Sequence, residues 1–216
     1  MTTSPPRLIL ASGSPRRREL LTEAGYAFEI IVPGPDAECG GCSETGPAEL
    51  VAKLAYQKAR DVVDQLSASA TPQYVEELCL VLAADTIAAC RGQILGKPAH
   101  EEHARDMLHM LSGREHEVYT GICVWPLGTN LELEGEPVGE VVITRLRMDK
   151  LSPTEIDDYI ASEQWRGKAG GFGYQDRLGW VHIIDGSPSN VVGLPMEALQ
   201  ATLTKFGCLP GSTSRA

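Results

Sequence analysis

Leu8-Ile9-Leu10-Ala11-Ser12-Gly13-Ser14-Pro15-Arg16-Arg17-Arg18-Glu19-Leu20-Leu21 reads as a short buried strand, a turn of small hydroxylated residues and a helix. The helix opens with proline at its first position and carries three arginines in its first turn. A helix N-terminus already holds roughly +0.5 of an elementary charge and favours an anion. Cations stacked on that end therefore point to an anion between them. The amides of the first turn, the Ser12 and Ser14 hydroxyls and the guanidinium forks of Arg16 and Arg17 together describe a phosphate site at the end of a strand. The competing reading leaves the arginines solvated and paired with Glu19 and Glu23.

Composition narrows what such a site can serve. The 216 residues, 43% of them hydrophobic, suffice for one domain with a real core, expected over 1–209 with 210–216 as a frayed tail. The longest N-terminal apolar run is 8–11, too short for a secretory or membrane segment, so the expected address is the cytoplasm. A net charge of −10 and a pI near 5.0 argue against a nucleic-acid groove, which needs a broad excess of lysine and arginine. A small polyanion in a local basic pocket suits an acidic protein better. Of the six cysteines, Cys39-Gly-Gly-Cys42 has the spacing of zinc ribbons and redox loops, but no second pair accompanies it. A glycine-containing loop with two thiols is the plainer reading.

Strand patterns fall at 8–11, 28–32, 78–84, 117–125, 138–148 and 179–184, and helical periodicity at 15–24, 48–66, 101–111, 154–161 and 195–206. Ser152-Pro153-Thr154-Glu155 is an N-cap, a proline at N1 and a glutamate at N3, and Gly207 is a C-cap. The interleaving predicts an α/β protein on a mixed sheet, its long middle strands antiparallel neighbours.

Several residues in this frame carry chemistry. The apolar run 78–84 delivers Asp85 and Thr86 at its carboxyl end, where open α/β sheets bind ligands; the alternative is a carboxylate that caps a turn. Lys58 shares a helix face with Leu50, Leu54 and Val62, and either snorkels to water or aims its ammonium at an anion. Lys97, in Gly96-Lys97-Pro98, is a loop cation or simply a solvated one. The glycine-dense run 166–175, which carries Lys168 and Gln175, can bring backbone amides close to a ligand but lacks Walker spacing. Glu38, with Asp36 as an equal competitor, follows the second strand and could join Asp85 on a divalent ion.

The order of these pieces resembles the Maf family of nucleoside triphosphate pyrophosphatases. The resemblance rests on Ser12-Gly-Ser14-Pro-Arg16-Arg17, the acid near Glu38, Ala55-Tyr-Gln-Lys58, Ala84-Asp85-Thr86, Gly96-Lys97-Pro98, Leu111-Ser-Gly, Lys168-Ala-Gly, Gln175 and Val191-Val-Gly-Leu-Pro195. It implies a mixed twisted sheet flanked by helices, two lobes around a deep substrate cleft as in inosine triphosphatases, and a homodimer. It implies hydrolysis between the α and β phosphates with a divalent metal such as Mg, Mn or Co. Asp85 is then general base or metal ligand, Glu38 its metal-binding companion, and Ser12, Ser14, Arg17, Lys58, Lys97 and Lys168 meet the phosphates. Arg16, Thr86 and Gln175 match positions that track substrate; Asp-Thr and the glutamine resemble the dTTP and UTP branch rather than the methylated-GTP branch. A side-chain amide offers both donor and acceptor to a pyrimidine edge.

This chain departs from the family pattern at Ala84, where glycine is frequent, at Gly167, where an acid is usual, and at Phe172-Gly-Tyr174-Gln175-Asp176, where Tyr-Gly-Ile-Gln-Gly is commoner. The expected function is removal of pyrimidine triphosphates, including non-standard ones. Two other readings compete: a nucleotide-binding regulator of a partner such as a cell-division component, without turnover, and a phosphatase releasing orthophosphate.

Overall fold

Leu8, Ile9 and Leu10 are buried on both faces of β1 (Arg7–Leu10), as a strand in the interior of a parallel ladder must be. β1 lies parallel to β2 (Glu29–Ile30) and to β3 (Cys79–Cys90), with Leu10 opposite Ile30 on one side and Leu82 on the other. Helix α1 (Pro15–Glu23) leaves the turn after β1 with Pro15 in its first turn. The computed structural model describes residues 5–38, 46–69, 78–131, 133–176 and 178–211, so Cys39, Cys42 and the end of the tail lie outside the described residues.

The remaining elements are α2 (Pro47–Ser69), β4 (Gln93–Leu95), α3 (Glu101–Leu111), β5 (Glu115–Leu127), β6 (Val138–Met148), α4 (Pro153–Ala161), β7 (Val181–Asp185), α5 (Pro188–Val192) and α6 (Met196–Lys205). The strand order is β2-β1-β3-β5-β6-β7, with β4 on β3. Pairing is parallel at β1 and antiparallel at β3–β4 and β6–β7, which makes the sheet mixed, as the interleaved pattern predicts. No helix among the described residues is long and apolar enough to cross a membrane.

The chain forms two compact units. The first comprises Met1–Asp85, Gly121–Val141 and Met196–Ala216. Its core sets Ala55, Ala59, Val62, Val63 and Leu66 of α2 against Ile9, Val81, Ala83, Cys123 and Trp125 of the strands. Ala55 and Ala59 keep the helix side low, so α2 sits close to the strands. Gly121 shows how close: a Cβ there would lie 2.4 Å from the Val51 carbonyl oxygen, nearer than any side chain tolerates. That approach fixes the helix that carries Lys58 two turns further on.

The second unit comprises Thr86–Thr120 and Val142–Pro195. Its core joins Ala104, Met107, Leu108 and Leu111 of α3, Ile156, Tyr159 and Ile160 of α4, and Leu146 and Met148 of β6. The sequence signals for α4 hold in full: Ser152 Oγ accepts from the Glu155 amide, and the Glu155 carboxylate accepts from the Ser152 amide at 2.7 Å. The Ser152 amide, with the Ser152 hydroxyl donating to the same carboxylate at 2.8 Å, pulls the Glu155 carboxyl below its ordinary pKa.

Two features differ from the sequence reading. β3 does not end before Asp85 but runs on to Cys90 and turns into β4 through Arg91 and Gly92, both at positive φ. This is a two-residue hairpin turn with arginine in a place that glycine or asparagine usually announces. The short helix α5 also emerges where only a motif was visible.

Candidate active site

In the first unit, the chemistry gathers where the β1–β3 ladder ends. The last β1–β3 pair is Leu10 with Leu82, and the Ala11 amide extends the ladder by donating to the Leu82 carbonyl at 2.7 Å. Ser12 lies two residues past the end of β1, and Asp85 lies three residues past Leu82 on β3. Asp85 is thus internal to β3 yet beyond the carboxyl end of the neighbouring strand β1.

Ser12 and Arg17 are buried, and the Arg17 Nη1 donates to Ser12 Oγ at 3.2 Å. The Ser14 amide also donates to Ser12 Oγ at 3.2 Å, so this hydroxyl organises the turn. Ser14 is the N-cap of α1, but its hydroxyl makes no capping bond. Ser14 and Arg16 are half-buried. Arg17 is 9% exposed, so the solvated-arginine reading does not hold for it.

Lys58 is 4% exposed, which excludes a snorkelling side chain. Its Nζ donates to Asp85 Oδ1 at 2.6 Å, a short charge-assisted hydrogen bond between elements 27 residues apart. Asp85 is therefore held by a cation instead of capping a turn. Glu38 ends a short 3-10 turn, Pro35–Glu38, that packs against α2. The same helix ties down the segment before it: Asp61 accepts from the Gly34 amide at 2.8 Å, and Gln65 Nε2 donates to the Val32 carbonyl at 3.2 Å. Asp61 and Gln65 are positioning residues that no local motif marks.

In the second unit, Thr86 Oγ1 lies 3.0 Å from Thr120 Oγ1 and 3.4 Å from the Gly193 carbonyl. Thr120 donates to the Asn190 carbonyl at 3.1 Å, and Asn190 Nδ2 donates to Thr144 Oγ1 at 2.9 Å and to the Val118 carbonyl at 3.2 Å. This buried polar network fixes Thr86 against the segment before α6. Thr120 and Thr144 escape a sequence reading because a single threonine in a strand pattern carries no signal, and Asn190 because it lies in the short helix α5.

Lys97 is exposed, and its turn is joined to the glycine-rich loop by the Gly170 amide, which donates to the Gly96 carbonyl at 3.0 Å. Lys168 is buried against Asp176, and Gln175 is exposed on the 3-10 turn Tyr174–Asp176. The ring of Phe172 meets that of buried His116 edge-on at 5.3 Å. Burial pushes the His116 imidazole down from 6.5 to about 4, only partly offset by the Arg114 backbone. Between pH 6.5 and about 4 the unfolded chain takes up a proton that the folded chain refuses. Stability is complete above that window and falls as pH drops through it, by at most about 3 kcal/mol. Urea unfolding of His116→Phe across the window is expected to show a correspondingly flatter pH dependence than the wild type.

The described cysteines, Cys79, Cys90, Cys123 and Cys208, are buried thiols. Burial pushes the Cys123 thiol up to about 12 and that of Cys208 up to about 11, so neither offers a thiolate at neutral pH.

A family model described as Maf-like protein matches residues 7–206. This chain belongs to the Maf family. Among its curated relatives, the dTTP/UTP pyrophosphatase of Rhodopirellula baltica is 48% identical over 204 residues, covering 94% of this chain and 83% of that one. The dTTP/UTP pyrophosphatase of Agrobacterium fabrum is 39% identical over 208 residues, covering 96% of this chain and 95% of that one. A protein of the same name from Lachnoclostridium phytofermentans is 37% identical over 203 residues, covering 93% and 95%. Among solved structures, a HAM1 protein from Coxiella burnetii matches with a TM-score of 0.46 and 18% identity, covering 93% of this chain and 99% of that one.

Proposed function

We propose that this Maf-family chain hydrolyses nucleoside triphosphates, dTTP and UTP foremost, to the monophosphate and pyrophosphate. The observation that carries the reading is 48% identity across 94% of the chain to a dTTP/UTP pyrophosphatase. The Lys58–Asp85 pair beyond the β1–β3 ladder supplies matching chemistry. Ser12, Ser14, Arg16, Arg17 and Lys58 bind and orient the polyphosphate, Lys97 supplies a further cation, and Lys168 meets it as one half of a neutral pair with Asp176. Phosphoryl chemistry asks the protein mainly for positioning and charge neutralisation. Asp85 accepts the proton of the attacking water as the bond between the α and β phosphates breaks, or holds a metal. Thr86 and Gln175 read the pyrimidine.

The donor chemistry of this unit suits a hard divalent cation such as Mg, Mn or Co, commonly held by one or two carboxylates together with substrate phosphates. Asp85 and Glu38 would hold it. When bound, such an ion neutralises phosphate oxygens and acidifies a nearby water. A cytoplasmic homodimer completes the proposal, on the strength of the family resemblance.

The test is product-resolved hydrolysis of dTTP, UTP, CTP, GTP and 7-methyl-GTP with Mn²⁺. Monophosphate with pyrophosphate, fastest from dTTP or UTP, is expected. Orthophosphate would instead identify a phosphatase, and no product from any nucleotide would overturn the hydrolase reading. The regulator reading is not favoured, because the relatives that match over nearly the whole chain are named as enzymes.

A further inference from the structure

The loop that presents Gln175 closes on an ion pair to which the proposed chemistry assigns only one partner. Lys168 Nζ lies 2.5 Å from each carboxylate oxygen of Asp176, and the two side chains are 11% and 9% exposed. From the other side the Tyr159 hydroxyl, on α4, donates to Asp176 Oδ2 at 2.8 Å. The Tyr159 ring is in turn braced edge-on against Trp180, with centroids 5.6 Å apart. The carboxylate is gripped between an ammonium on its own loop and a phenol on a packed helix.

Residue 173 makes room for this grip. A Cβ at Gly173 would come within 2.7 Å of Lys168 Nζ and within 2.7 and 2.8 Å of the two Asp176 oxygens. Gly173 is not among the glycines at positive φ, so glycine stands there for space and not for backbone freedom. The loop backbone closes as well, the Gly171 amide donating to the Lys168 carbonyl and the Asp176 amide to the Gly173 carbonyl, each at 3.1 Å.

A buried lysine-carboxylate pair adds no net charge and little net stability, so its use is more readily geometric than energetic. Gln175 immediately precedes Asp176 and is itself exposed. Holding the Asp176 carboxylate therefore holds the backbone beneath the glutamine amide. That matters for reading a base. Uracil and thymine present an acceptor at O4 and a donor at N3, whereas cytosine presents the reverse pattern. A primary amide that turns over satisfies either one. A backbone fixed beneath the side chain limits the directions from which that amide can reach the base edge.

We infer that Asp176 is a positioning residue which, gripped by Lys168 and Tyr159, fixes the turn of Gln175 and so sets how sharply the protein separates dTTP and UTP from CTP. This rests on the nucleotide reading above.

The test is steady-state hydrolysis of dTTP and CTP by wild type, Asp176→Asn, Gly173→Ala and Tyr159→Phe. Asp176→Asn and Gly173→Ala are each expected to lower the dTTP-to-CTP ratio of kcat/KM about fivefold, chiefly through KM for dTTP, as losing one oriented hydrogen bond would. Tyr159→Phe, the mildest change and the safeguard should the others fail to fold, is expected to lower it about twofold. Inhibition by inorganic tripolyphosphate, which has no base, is expected to stay within about twofold in Tyr159→Phe. If dTTP and CTP lose kcat/KM by the same factor in every folded variant, the grip serves the fold alone and the inference is overturned, while the hydrolase reading stands. If wild type releases no pyrophosphate from any nucleotide, that reading fails first. Calorimetric affinities for dTTP and CTP then decide the inference. A ratio lowered in Asp176→Asn supports it; an unchanged ratio, or no binding of either nucleotide by wild type, overturns it.

Discussion

Replacing Asp85 by asparagine is expected to lower kcat for dTTP by about 10²- to 10⁴-fold, the range over which a positioned proton acceptor contributes to catalysis. Asparagine keeps the size of the side chain and an oxygen that can accept from Lys58 Nζ, now 2.6 Å from Asp85 Oδ1, so the local fold should persist. What is lost is the negative charge. A carboxylate facing a polyanion opposes binding on its own, so dTTP affinity is expected to hold steady or improve while turnover collapses. Hydrolysis rates beside calorimetric titration with dTTP check both halves. A kcat reduced less than about threefold would remove Asp85 from both of its assigned roles, as base and as metal ligand.

That separation also bears on what the chain can be without turnover. A nucleotide-dependent regulator would gain nothing from a carboxylate among phosphate contacts, and its biological effect would survive Asp85→Asn intact. An effect lost while nucleotide binding is preserved speaks for an enzyme.

Local periodicity made most of the scaffold legible. The strand at 138–148 and the helix at 101–111 match Val138–Met148 and Glu101–Leu111 because each has a clear apolar repeat and a clean border. Asp85 misled only about its strand. The polar pair Asp85-Thr86 interrupts an apolar run that resumes at Ile87, and nothing nearby says that β1 has already stopped at Leu10. The Arg91-Gly92 hairpin was hidden for a similar reason, since arginine at φ 52 is an uncommon turn residue. Motif order singled out Ser12, Arg17, Lys58 and Lys168, but not which of them would be buried or with whom. Lys58 finds Asp85 and Lys168 finds Asp176 only after the chain has folded back, over 27 and 8 residues respectively. Partner choice of this kind belongs to the tertiary fold, and Asp176 carries no local mark of it.

Lys58→Met tests how far the first of those pairs holds the site together. Methionine matches the length of the lysine stem, so the contacts that Ala55, Ala59 and Val62 of α2 make in the first core should survive. The Asp85 carboxylate, 13% exposed, is left without its ammonium. A buried pair is worth little against an apolar replacement of both partners, yet removing one partner commonly costs about 3–5 kcal/mol because the other charge stays buried. Lys58→Met is accordingly expected to destabilise the protein by about 3 kcal/mol in urea unfolding at neutral pH. Adding Asp85→Asn should restore about half of that loss, since the orphaned charge is then gone. Asp85→Asn alone should cost about 1 kcal/mol, since Lys58 keeps an acceptor. If the two single losses simply add in the double variant, Lys58 is placed by its hydrocarbon stem and Asp85 by the β3 backbone, and the 2.6 Å contact is a consequence of the site's geometry and not its cause.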